Sequence, residues 1–404
     1  MRINFNIKIT ALFCCTLMLA CCNSSKSSEQ TQTNNKECKI TTDTIGQTER
    51  ELLEVMQRNE AVGLAVVAVK DGKVIYNKSL GYKDLENKTP MGETDVLRIA
   101  SISKSFTTIG ILQLMEQGKL ELDTDVSDIM GFKIRNPKYP ETPITVRMLL
   151  SHISSMSDSN GYFTLNKLNP DSSSTWQKAW NDYAPGTKYQ YCNLGFNTLG
   201  AILEKVSGER FDKYILNHII KPLGLYASFN VMDLDSTKLI NLYSYNRADS
   251  SYTKSQAYTS PEKDLENYKL GYSTPLFSTT GGMNISSIDM AKVMMMHMNM
   301  GTLDKVRILD YSSSALMQSK ITPTNYDNEY YGMGIITTDN LLKGHTLTGH
   351  DGLALGAYTA MYWDKKANYG FVIVTNGCNG NTEYDFANIL CESAECLYKN
   401  LIKE

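Results

Sequence analysis

The stretch "VLRIASISKSFTTIGILQLMEQGKLELDTDV", Val96 to Val126, runs from an extended apolar segment into a helix, and Ser101 and Lys104 stand at the junction. The helix carries Phe106, Ile109, Ile111, Leu112, Leu114 and Met115 and stops at Gly118. Apolar on nearly every side, it is predicted to be buried. Positions three apart share a helix face, so the Lys104 amine reaches the Ser101 hydroxyl. The positive end of the helix adds free N–H groups that favour a developing anion. Burial lowers the pKa of a lysine, and a neutral amine can take a proton from serine. Ser-x-x-Lys by itself says little, since it recurs at Ser251–Lys254 and Ser260–Lys263 in a polar region. Only the first copy opens a helix. The competing assignment is a plain helix cap with a solvated lysine, and the apolar surroundings favour an activated nucleophile instead.

Outward from this helix the chain changes character at both ends. "GLAVVAVKDGKVIYNKSLGY" gives two β-rich runs around Asp71-Gly72, a hairpin signal. "YGMGIITT", "HTLTGHD" and "GAYTAMYWDKKANYGFVIVTN" supply three or four further strands. An amphipathic helix is predicted from Thr44 to Arg58 and another from roughly Asp385 to Ile402. Between about Ser103 and Leu223 helical periodicity dominates, with stops at Gly208 and Pro222. Residues 231–275, rich in Tyr, Ser, Asn and Lys, read as long loops beside a cleft. The fold class is therefore α/β of the α+β type: an antiparallel sheet flanked by N- and C-terminal helices, with an all-helical part inserted at about residues 105–275.

Two later stretches fit the same chemistry. "PGTKYQYCNLGFNTLG" places Tyr191 and Asn193 just before a helix. A tyrosine hydroxyl beside a lysine relays protons, and an asparagine amide holds a substrate carbonyl. Cys192 between them points the other way if the segment is extended. "LTGHDGLALGAYTAMYWD" places His350, Asp351 and Gly352 at the end of one strand, with the next beginning near Gly356. A glycine there lets substrate lie against the strand edge. The N–H groups of Leu353 and Ser101 are candidates for an oxyanion hole.

Ser-x-x-Lys, then Tyr-x-Asn, then His-x-Gly, in this order, resembles the serine β-lactamase and penicillin-binding-protein superfamily, especially its class C-like branch of carboxypeptidases, D-aminopeptidases, esterases and acyltransferases. "ITVRMLLSHISSM" and "STTGGMNISSIDMAKVMM" are similar to the same family, and the likeness spans about Val62 to Gly377. The resemblance implies a β-lactamase/transpeptidase-like fold. It also implies Ser101 as the acylated nucleophile, Lys104 and Tyr191 as base and proton relay, and Asn193 as a substrate ligand. His350 and Gly352 fall where many members carry Lys-Thr-Gly. A histidine and an acid there weaken recognition of a substrate carboxylate unless another cation supplies it. That departure points away from an efficient β-lactamase, toward a hydrolase of amides or esters. The competing readings are an acyltransferase, favoured if the tyrosines from Tyr243 to Tyr272 line an acceptor pocket, and a penicillin-binding sensor that acylates without turnover.

The remaining features narrow the class. The 404 residues are 42% hydrophobic with a net charge of −3, enough for a large core and no basic footprint for nucleic acid. "MRINFNIKITALFCCTLMLACC" has the layout of a secretory signal, and Leu19-Ala20-Cys21 resembles a lipobox. Residues 1–21 are read as a lipoprotein signal, with Cys21 lipidated and an ordinary cleaved signal as the alternative. Residues 22–43 are read as a flexible tether and 44–404 as the enzyme domain. The expected setting is a bacterial cell envelope, with attachment to the membrane through the lipid and a small molecule or peptide as substrate. Five cysteines beyond the leader, Cys38, Cys192, Cys378, Cys391 and Cys396, form no disulfide framework. No cofactor is implied and no metal is expected. His345 and His350 are too far apart on a strand for one ion, and the methionines of "MAKVMMMHMNMG" read as core filler. His152 reads as a satisfied structural histidine.

Overall fold

The computed structural model describes residues 42–383 and 386–403. The leader, the lipidation site at Cys21, Cys38 and the tether up to residue 41 lie outside the described residues, whereas Thr42 and Asp43, read as the end of the tether, already belong to the first helix. In chain order the principal elements are α1 (Thr42–Arg58), β1 (Gly63–Lys70), β2 (Lys73–Asp84), α2 (Ser103–Glu116), α3 (Asn193–Ser207), α4 (Ser287–Met298), β3 (Ile336–Thr338), β4 (Leu347–Ala354), β5 (Ala357–Asp364), β6 (Tyr369–Thr375) and α5 (Asn388–Leu397).

The strands from the two chain ends form one nine-stranded antiparallel sheet in the order β3-β4-β5-β6-β1-β2. Thr322–Pro323 and Tyr330–Tyr331 extend it beyond β3, and Thr89–Pro90 extends it beyond β2. The β1–β2 connection turns on Asp71 and Gly72, both at positive φ, the conformation that a tight hairpin loop requires. Strand β1 is an interior strand, paired with β6 and β2, and is covered on both faces, which is why it reads as a continuous apolar run. Ala65, Val67 and Val69 face the helical side. Leu64, Val66 and Ala68 face α1 and α5. On the helical side, α4 packs its buried Met290, Met294 and Met296 into the core, so the methionine run serves as filler.

The inserted part is helical where the periodicity says so: α2, Val126–Met130, Val146–Leu150, α3 and Phe211–Ile215. From 151 to 192 it runs irregularly, with short 3-10 turns. The region read as loops contains a small antiparallel hairpin, Tyr243–Asn246 with Ser251–Lys254. Alternation of Tyr243 and Tyr245 across a polar turn is the strand signal that composition hid. At the C-terminus, residues Thr382–Glu383 pair with Phe386–Ala387. The last helix therefore starts at Asn388 rather than Asp385 and widens into a π-helical turn at Tyr398–Ile402.

Glu204, wholly buried on α3, ties the loop at residues 268–274 and the start of the next helix to the helical body. Its carboxylate accepts the N–H of Phe211 at 2.7 Å, the N–H of Gly271 at 2.6 Å, the Thr274 hydroxyl at 2.7 Å and the Tyr268 hydroxyl. Glu204→Ala strands two backbone donors inside the protein and is expected to cost about 3 kcal/mol or more in urea unfolding. A loss below about 1 kcal/mol would contradict this role.

Candidate active site

Ser101 lies in a 3-10 turn, Ala100–Ile102, that leads into α2. Ala100 sits at φ 49°, an uncommon conformation for a residue with a side chain. Neighbouring glycines make this turn fit. A Cβ on Gly352 would come within 2.4 Å of the Ile99 carbonyl and 3.0 Å of the Ala100 Cβ. Gly352 therefore admits the nucleophile's own turn against β4, a tighter demand than the space for substrate that the sequence suggested. The Thr359 hydroxyl closes the join by donating to the Ile99 carbonyl at 3.0 Å.

Lys104 is fully buried. Its Nζ is 3.1 Å from Ser101 Oγ and 3.0 Å from the Thr280 carbonyl. The face of Tyr191 lies 4.7 Å away, measured to the ring centre. The segment that supplies Thr280 is fastened to α2 at two further points. Thr107 donates to the Thr279 carbonyl at 2.8 Å, and the Met283 N–H donates to the Ser103 hydroxyl at 3.0 Å. Burial pushes Lys104 down to about 7, partly opposed by the charges of Asp158 and Asp351. At neutral pH the amine is thus poised between its two forms. As an ammonium it donates to both oxygens. As an amine it donates to Thr280 and accepts the Ser101 proton.

Tyr191 is positioned by His152, which has φ 58° and is buried. The ring nitrogen Nδ1 of His152 accepts the N–H of Cys192 at 3.1 Å, and its carbonyl accepts the N–H of Gln190 at 2.8 Å. These bonds hold residues 190–192 on either side of Tyr191, whose ring centre is 4.3 Å from that of His152. The sequence reading of His152 as a satisfied histidine needs correcting, because its Nε2 is buried with no hydrogen-bond partner among the described residues.

Asn193 opens α3, and its side-chain amide donates to Asp158 Oδ2 at 2.9 Å. Asp158 also accepts the N–H groups of Asn193 and Leu194 at 2.8 and 2.9 Å, and the Cys192 thiol at 3.3 Å. One carboxylate therefore satisfies the free donors at the start of α3. Cys192 is buried and turned to Asp158, and burial pushes its thiol well above its ordinary value, so it is not a second nucleophile. The four described cysteines are buried.

His350 lies within β4, 2% exposed. Its Nδ1 is 2.6 Å from the Asp351 carbonyl and its Nε2 is 3.3 Å from the Tyr331 hydroxyl. A carbonyl only accepts, so Nδ1 carries the proton and Nε2 takes the proton of Tyr331. Burial and the neighbouring Lys104 push His350 down to about 3, and it is neutral at physiological pH. Asp351 alternates to the other side of the sheet, where it accepts from the Tyr362 hydroxyl at 3.3 Å. Neither residue places a cation in the cleft. Strand β4 pairs with β3 only through Leu347–Gly349, so among the described residues no strand pairs with the edge from His350 to Ala354 on that side. Leu353 lies on that edge and is 61% exposed.

The fold thus brings Ser101, Lys104, Tyr191, His350 and Gly352 around one point, with Leu353 on the adjoining strand edge and Asn193 held by Asp158. Asp158 and Tyr331 were missed in the sequence. Asp158 sits in a polar run 35 residues before Asn193, with no periodicity to mark it. Tyr331 looks like an ordinary strand tyrosine. Among the described residues no three His, Cys, Asp or Glu side chains gather as metal ligands.

Residues 47–393 match the family model described as Beta-lactamase. The chain belongs to the Beta-lactamase family. Protein flp of Staphylococcus aureus (strain N315) is 27% identical to it over 361 residues, covering 86% of this chain and 65% of that one. The chain thus spans slightly less than two thirds of that relative. The octameric penicillin-binding protein homologue from Pyrococcus abyssi superposes with a TM-score of 0.70 at 25% identity, over 88% of this chain and 77% of the other. EstCE1, described as a hydrolase with promiscuous acyltransferase activity, shares the fold with a TM-score of 0.68 at 22% identity, over 88% of this chain and all of its own. The fold is that of the family's serine hydrolases.

The depressed lysine pKa has a consequence for stability. Between about 7, the folded value, and the ordinary 10.5, the unfolded chain binds the extra proton, so stability rises with pH across that window. Lys104→Met removes this dependence. Urea melts of the two proteins are expected to shift in favour of the variant as pH falls from 10 toward 7, whereas parallel pH curves would contradict a buried, depressed lysine.

Proposed function

We propose that this protein is a serine acyl-hydrolase that opens an amide or ester through an acyl-enzyme on Ser101. The observation that carries the reading is the wholly buried Lys104 amine, 3.1 Å from the Ser101 oxygen and held near neutrality. Neutral Lys104 takes the Ser101 proton as Oγ attacks the substrate carbonyl. The N–H groups of Ser101 and Leu353 receive the charge that develops on the carbonyl oxygen. The proton passes through Lys104 and Tyr191 to the leaving amine or alcohol as its bond to the acyl carbon breaks. Water, deprotonated by the same pair, then attacks the ester on Ser101 and releases the acid. Substrate lies along the open edge from His350 to Leu353, with Gly352 keeping that edge close to the turn. The second hydrogen on the Asn193 amide nitrogen is available for a substrate carbonyl.

Hydrolysis is favoured over transfer by where the tyrosines go. Tyr243 donates to Glu86, Tyr245 and Tyr252 to Glu60, Tyr258 to the Ile240 carbonyl, Tyr268 to Glu204 and Tyr272 to Asn166. These hydroxyls staple loops to the body of the protein, Tyr258 while it also walls a cavity.

Ser101→Ala is expected to abolish labelling by a serine-reactive phosphonate without loss of fold, and undiminished labelling would remove Ser101 from the role of nucleophile. Lys104→Ala is expected to slow acylation by about 10²–10⁴-fold. In the unmodified protein the acylation rate should fall about tenfold per pH unit below about 7. A flat profile between pH 5 and 8 would assign the proton transfer elsewhere.

A further inference from the structure

Arg98, three residues before the nucleophile, is a cation that the mechanism leaves unused. Its Nε donates to the Gly281 carbonyl at 2.7 Å and its Nη2 to the Ser278 hydroxyl at 3.0 Å. Both partners are neutral, and among the described residues no carboxylate pairs with it. Desolvation pushes its pKa down from the ordinary arginine value. A largely desolvated guanidinium without a counter-charge is costly.

Arg98 lines a cavity of about 340 Å³. Phe229, Phe277, Tyr258 and Pro275 give that cavity apolar walls, and Phe163 stands at its rim, 69% exposed. Asn284 also lines it. The Asn284 amide nitrogen donates to the Ser228 and Gly282 carbonyls at 3.2 and 3.0 Å, but its Oδ1 is buried with no partner. The cavity therefore presents a cation without a counter-charge and an apolar wall. The edge of the guanidinium that contains Nη1 is left for a ligand, and a single arginine balances a single negative charge.

We propose that this cavity is a carboxylate subsite that takes the free acid of an apolar N-acyl amino acid or peptide end, with the acid on Arg98 and the apolar part against Phe229, Phe277 and Tyr258. Three residues of chain span at most about 11 Å, so the backbone of Arg98 lies within about 11 Å of that of Ser101. The subsite supplies the cation that the neutral His350 does not. Its part in choosing substrates rests on the reading of Ser101 as nucleophile, whereas the binding itself does not.

The test is calorimetric titration of the protein with N-acetylleucine, in both enantiomers, and with the uncharged N-acetylleucinamide. At low salt the acid is expected to bind more tightly than the amide. Arg98→Gln should weaken the acid by about tenfold or more and leave the amide within about twofold. Because Arg98 also holds Gly281 and Ser278, a second variant is made at the exposed rim. Phe163→Glu, which adds a like charge, should weaken the acid about threefold, and the loss should fade at high salt. The acid should bind Ser101→Ala as well as it binds the parent. Equal binding of acid and amide, no binding of the acid, or affinity unchanged in both variants would overturn the subsite. Acid binding that disappears in Ser101→Ala would place the ligand in the catalytic cleft and overturn it too. If the subsite fails while the phosphonate still labels Ser101, the hydrolase reading stands without it.

Discussion

The arrangement depends on keeping the Lys104 amine inside the protein, bonded to Ser101 Oγ and the Thr280 carbonyl. A lysine removed from water loses much of its preference for the charged form. That loss turns an ordinary ammonium into a base near neutral pH. Everything around α2 serves it. The helix is buried along almost its whole length. The segment at 279–283, some 180 residues later in the chain, closes the remaining side, using hydroxyls on α2 to satisfy its backbone. The cost of an interior amine is offset by the packing of a helix that no polar face would let sink so deeply.

The same burial decides what the third motif contributes. His350 has one nitrogen on a carbonyl and the other on the Tyr331 hydroxyl, so it stays neutral and fixes the wall of Tyr331 and His152 behind Tyr191. Asp351 faces the opposite side of the sheet. With no cation at that point, the open edge of β4 offers backbone groups and the space made by Gly352. Recognition of charge, where it occurs, falls to the neighbouring Arg98 cavity. The base Lys104 and the proposed charge-recognising Arg98, six residues apart, lean on successive carbonyls, Thr280 and Gly281.

Much of this is legible in the sequence because it is local. The continuous apolar run of β1, the Asp71-Gly72 turn and the apolar helix after Ser101 each have one physical reading. Tyr191 and Asn193 before α3 were visible from the helix that follows them. What could not be read is what folding brings from afar. Asp158 reaches Asn193 across 35 residues, and nothing in a run of serines distinguishes it. His152 holds residues 190–192 only because a loop at positive φ turns its ring toward them. The tyrosines after 240 look like a pocket lining by composition, yet their hydroxyls serve as loop staples, with Tyr258 also walling the Arg98 cavity. The need for glycine at 352 comes from the approach of Ile99, a contact that a strand pattern does not encode.

The central claim is that Lys104 is held as a base near neutrality by burial. The most direct measurement is an NMR titration of the protein labelled with ¹³C at lysine Cε, with the Lys104 resonance assigned by its absence from Lys104→Met. The account predicts one lysine with a midpoint at about 7. A Lys104 resonance that titrates near 10.5 with the surface lysines would contradict it.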